Sequence, residues 1–170
     1  MEEKVTAVLA LLQGLVGQHK RLLDTIRLEK DGLVNADLKV VQEATLAKEG
    51  IIEAIRKAEQ ERARLTIDIG MMSKRPFKDV TLSQIILDVQ GRNIKLADQL
   101  RSVQNTLGIL ITRITEQNQY NKKLVEQSLF HIQKMKTNVL GESSPMSDTY
   151  GASGHKNTGG GSSRFISREA

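Results

Sequence analysis

The sequence predicts an all-α fold: three long antiparallel helices packed up-down-up as a bundle or coiled coil, the third overhanging the others, with a disordered C-terminal tail. Three observations predict it. The chain has no Trp and only 3% aromatic residues, whereas a mixed α/β core leans on large aromatic and β-branched side chains. Good helix formers are abundant and there are only two prolines. Apolar residues also recur at alternating three- and four-residue intervals through most of the chain. The predicted organisation is a helical region over residues 1–140, with helices at about 2–31, 36–70 and 82–140, then a Gly/Ser-rich tail over 141–170.

In the first helix the stripe runs Val5, Val8/Leu9, Leu12, Leu15/Val16, Leu22/Leu23 and Ile26, so one face is apolar. His19 falls on that stripe and reads as a histidine at a helix interface, with no neighbour to complete a metal set. Gly32 is the expected C-terminal stop, because glycine tolerates the left-handed conformation that ends many helices. Asn35 or Asp37 can cap the second helix. Its stripe runs Leu38, Val41, Ala44, Ile51/Ile52, Ile55, Ala58, Leu65 and Ile69, interrupted by Lys48 and Arg62, which predicts looser packing. Pro76 breaks the chain between the second and third helices. The basic run Lys74, Arg75 and Lys78 would then face the carbonyl end of the second helix.

Thr81 opens the third helix, with Gln84 at capping-box spacing. Its seam runs Leu82, Ile86, Val89, Asn93, Leu96, Leu100, Val103, Leu107, Leu110 and Ile114, and the lone Asn93 is expected to fix register. After that the seam turns polar, through Gln117, Asn121, Leu124, Ser128, His131 and Met135. Lengths point to the same place. At the rise of an α-helix the three helices would span roughly 42, 50 and 88 Å. The first two can therefore sheathe only about the first 35 residues of the third, and coverage should end near residues 115–118. Further along, Leu124, Val125, Leu129, Ile132, Met135 and Val139 fall within an arc of about 140°. Asn121 and Ser128 lie at its centre, Tyr120 at its margin, and Phe130 points nearly the opposite way. An apolar strip left uncovered by its own bundle is a candidate for binding another chain. Two alternatives keep it within one kind of molecule: the helix bends back on itself, or two copies cover each other's strips as a structural coiled coil.

Composition excludes several function classes. The net charge of +5 arises from Lys and Arg interleaved with Glu and Asp, as at Glu59, Glu61, Arg62 and Arg64, and not from a clustered basic face. This argues against nucleic acid as a partner. There is no Cys, which fits a reducing cytoplasm. The N-terminal run is too acidic at its start, and too soon interrupted by Gln13 and Gln18, for stable membrane insertion. No activated nucleophile or metal-ligand set emerges, so the expectation is a cytoplasmic protein that is not an enzyme and needs no metal or cofactor. In the tail, Gly159-Gly160-Gly161-Ser162-Ser163-Arg164 lacks the lysine spacing of a phosphate loop. Arg164, Phe165 and Ile166, a charge beside an apolar pair on a flexible arm, form a candidate docking element, against the alternative of an inert tail.

Several stretches look familiar together. They are Leu33-Val34-Asn35-Ala36-Asp37-Leu38, then Thr45-Leu46-Ala47-Lys48-Glu49, the run NKKLVEQSL from Asn121 to Leu129, and Tyr150-Gly151-Ala152-Ser153-Gly154 before a short basic end. In these stretches and in its layout the chain resembles the FlgN family of bacterial flagellar export chaperones. The resemblance implies a cytoplasmic helical protein that binds the C-terminal helices of hook-associated flagellar proteins before type III export. It implies client contacts at Tyr120, Leu124, Val125, Leu129, Ile132 and Met135, with docking at the export apparatus as a role for the tail. A client-free chain could pair with a second copy.

Overall fold

The computed structural model describes residues 1–73 and 80–140, and every element among them is a helix. The first helix, α1, is Glu2–Val34, with Glu2 and Glu3 in its first turn, where negative charge favours the helix dipole. It does not stop at Gly32. That residue stays helical and buried, because the second helix starts against it: a Cβ there would lie 2.9 Å from Val41 Cγ2 and 3.1 Å from Val41 N. The left-handed residue of the turn is Ala36, at φ 54°. Asp37 then caps α2, Leu38–Met72, its carboxylate accepting from Lys39 N at 3.1 Å and Val40 N at 3.2 Å. Three short residues thus reverse the chain.

The two helices run antiparallel, since Lys4 pairs with Asp68 at 2.6 Å near one end and Glu29 with Lys48 near the other. The stripe of α1 is buried from Val5 to Ile26, while α2 buries only Ala44, Ile51, Ile69 and Gly70. Leu38 and Ile52, expected on the stripe of α2, are exposed. The charged and polar interruptions of that stripe leave α2 as a cover over the core and not as its centre.

The single third helix expected over 82–140 is two helices. Thr81 caps α3, Leu82–Gln90, by accepting from Gln84 N at 3.2 Å. The Gln84 side-chain amide donates to Asp88 one turn on. Gly91, Arg92 and Asn93 then form a turn, with Arg92 N and Asn93 N both donating to Val89 O. Asn93 restarts the helix: its Oδ1 accepts from Leu96 N at 3.1 Å, the role of an N-cap and not of a seam residue. Glycine is a poor helix former and Asn competes locally for backbone donors, so the pair converts a helix into a helix–turn–helix. The following helix, α4, is Ile94–Leu140. Ser83 meets Gln104 and Gln90 meets Arg101, so α3 folds back along the start of α4.

The seam keeps its phase through the turn, with Ile86 and Val89 on one side of it and Leu96 and Leu100 on the other all buried. One apolar cluster gathers Val5 to Leu15 of α1, Ile69, the three buried residues of α3, and Leu96, Ala97 and Leu100. A second gathers Leu22, Leu23, Ile26, Ile51, Leu110 and Ile114. Each large side chain so buried contributes about 1.5–3 kcal/mol. His19, half-buried on the α1 stripe, places Nδ1 2.7 Å from Leu15 O.

The chain divides into Met1–Leu129 and Phe130–Ala170, and of the second part only the last turns of α4 are described. The basic run at Lys74, Arg75 and Lys78 and the break at Pro76 lie outside the described residues. So do the tail over 141–170 and its docking candidates Arg164, Phe165 and Ile166.

Candidate partner-binding surface

The surface begins where the core ends. Leu110 and Ile114 are the last residues of α4 in an apolar cluster, and they pack with Ile26 and Ile51. Two turns later stands Asn121, which is 4% exposed and is the buried polar residue among those described. Its Nδ2 donates to Ile26 O at 3.0 Å and to Glu29 Oε2 at 2.9 Å, while its Oδ1 accepts from Gln117 Nε2 at 3.2 Å. Glu29 uses its other oxygen to accept from Lys48 Nζ at 2.5 Å, and both side chains are largely covered. Three helices therefore meet through polar atoms, and no buried side-chain nitrogen or oxygen among the described residues lacks a hydrogen-bond partner. An unsatisfied buried donor would cost about 1–3 kcal/mol.

This corrects the expected boundary. Coverage of α4 does not fail at residues 115–118, since Asn121 is buried and Leu124 half-buried. The physical reason is that Glu29 of α1, itself paired with Lys48, the apparent interruption on the α2 stripe, supplies an acceptor that lets Asn121 go inside. Asn121 belongs to the fold and not to the open centre of the strip. The signal was available in the sequence only as charged residues on otherwise apolar faces.

From Val125 to Val139 every described side chain is exposed. Within the first part of the chain, Tyr120 is 50%, Val125 40% and Leu129 53% exposed. Within the second, Ile132 is 57%, Met135 60% and Val139 82% exposed. Phe130, off the strip, is also exposed and sets its ring edge-on to His131 at a centroid distance of 5.9 Å. At 100° per residue Leu124, Val125 and Leu129 are in phase with the buried seam from Leu96 to Ile114, so within the first part the face that packs inward continues as a face that opens. Ser128, in mid-strip, turns its hydroxyl back to Leu124 O and offers no free donor. Such a surface can bury apolar area against another helix. Among the described residues no cluster of His, Asp and Glu could hold a metal ion, and no helix is long and apolar enough to cross a membrane.

Neither the curated proteins nor the solved structures contain a match to this chain. The model of one protein family, described as FlgN protein, matches residues 1–158, nearly the whole chain, and so the chain belongs to the FlgN family, a family of flagellar export chaperones.

Proposed function

We propose that Tyr120, Leu124, Val125, Leu129, Ile132, Met135 and Val139 form the face that holds the amphipathic C-terminal helices of hook-associated flagellar proteins. Held there, a client's terminal helices cannot assemble prematurely, and the chaperone brings them to the type III export apparatus from the cytoplasm. The observation that supports this reading is the in-phase continuation of the buried seam as an exposed apolar strip. Helix-in-groove recognition uses apolar anchors at this three- and four-residue spacing. Arg164, Phe165 and Ile166 are the tail residues proposed to dock on the export apparatus.

The test is the mass of the protein in solution by light scattering, alone and with C-terminal peptides from hook-associated proteins. A monomer that becomes a one-to-one complex is the expected result. A homo-oligomer of fixed mass that ignores every peptide would make the strip an assembly seam between copies, and the chaperone reading of these residues would fail.

A further inference from the structure

No apolar cluster of the described residues reaches past Ile26, Ile51 and Ile114. The tip of the α1–α2 hairpin, residues 27–47, thus contributes nothing to either core. It buries Gly32 and Ala44, half-buries Leu33, Val40 and Val41, and exposes Leu28, Val34, Leu38 and Leu46. The hydrogen bonds from this tip to α4 are those of Asn121, which reaches Ile26 O at the edge of the core and Glu29 within the tip. Lys48 completes the set from α2. A contact made of polar atoms at the edge of a core opens at less cost than one made of buried leucines, since water replaces each hydrogen bond that is lost.

We propose that Asn121, Glu29 and Lys48 form a polar clasp that holds the tip of the α1–α2 hairpin against α4, and that its opening adds the inner face of the tip to the partner-binding strip. Closed, the clasp leaves Leu124, Val125 and Leu129 as a narrow apolar edge. Open, it frees Leu33, half-buried near the end of α1, as a second wall against which an amphipathic helix can pack, while Val40 and Val41 stay against Gly32 within the hairpin. The register supports this placement: Asn121 sits abreast of residues 26–29, so Leu124 to Leu129 advance alongside the last turns of α1. The second half of the proposal rests on the partner-binding reading given above; the clasp itself does not.

The chain has no Cys, so introduced cysteines carry spin labels cleanly. Two pairs of exposed positions serve: Gln42→Cys with Lys123→Cys across the clasp, and Glu3→Cys with Lys95→Cys at the far end of the bundle. In the otherwise unchanged protein each pair should give one narrow distance. Asn121→Ala should add a longer distance to the first pair, its open population rising about tenfold or more, and leave the second pair narrow. Gln117→Ala removes a donor within α4 only, and should leave both pairs as they were. A first pair that stays narrow in Asn121→Ala would overturn the clasp, because apolar packing alone would then be holding the tip. Broadening of both pairs together, or loss of helicity, would also overturn it, since Asn121 would be part of one cooperative core. With C-terminal peptide present, Asn121→Ala should bind several-fold more tightly, as fewer molecules start closed. Unchanged or weaker binding with the tip shown to be open would overturn the second wall. Peptides that bind neither protein would sink the partner reading and with it the second wall, while the distance result still decides the clasp.

Discussion

Ala36 and Gly32 exchange the roles that their residue types suggest. Ala36 holds a left-handed backbone at φ 54°, a conformation that costs a residue with a Cβ about 1–2 kcal/mol. Part of that cost is offset because glycine loses more entropy on folding. Ala36→Gly should therefore raise stability by about 0.5 kcal/mol, read as a higher denaturation midpoint with an unchanged slope. Gly32→Ala should do the reverse, losing about 1–3 kcal/mol, because the new methyl meets Val41 backbone as well as side chain. A different residue senses pH. Arg56 donates two hydrogen bonds to Glu53 at 2.8 Å, and with Lys57 nearby this lowers the Glu53 carboxyl from its usual 4.5 to about 2. A lowered acid contributes stability above its unfolded value and loses it as pH falls through the folded one, here between about 4.5 and 2. Glu53 is solvent-exposed, so salt screens the effect and the gain is small. Its carboxyl carbon should titrate near 2 by NMR in low salt, and nearer 4.5 in Arg56→Gln.

At the scale of elements, capping decides where helices begin. The break at Gly91–Asn93 was legible as two poor helix formers inside a long apolar period, yet periodicity runs through it without a fault. The seam from Leu82 to Ile114 is in phase on both sides, which is why the sequence reads as one helix and folds as two. Asn93→Ala removes the acceptor for Leu96 N and a donor to Glu2, and should destabilise the fold by about 1 kcal/mol. Thermal or urea denaturation followed by circular dichroism measures it. A loss near zero would mean that the packing of Leu96, Ala97 and Leu100 places the start of α4 without help. Caps depend on single side chains and local backbone angles, and hydrophobic spacing carries no record of either.

For the whole molecule, the contrast between core and strip is the sharpest test. Val125→Asp, Leu129→Asp and Ile132→Asp together should leave helicity and cooperative unfolding nearly intact, since exposed positions cost little on substitution. The same variant should lose peptide binding in light scattering. Ile26→Ala, by comparison, should lose about 2–5 kcal/mol from the second cluster. If the aspartate variant unfolds instead, the strip is core. The sequence by itself determined the helical class, the apolar stripe of α1, the reversal at Asn35–Asp37 and the in-phase seam of the last helices, because these follow from local propensity and a period of 3.6 residues. It also marked the strip from Leu124 to Val139, since an apolar arc is countable. Only the tertiary structure decided that Asn121 goes inside, that Glu29 is its partner, that Lys48 pairs with Glu29 and is no mere interruption, and that coverage of α4 runs on to Leu124. The reason is physical: a polar side chain is buried or exposed according to whether a complementary group arrives from another helix, and that meeting is set by packing between segments dozens of residues apart.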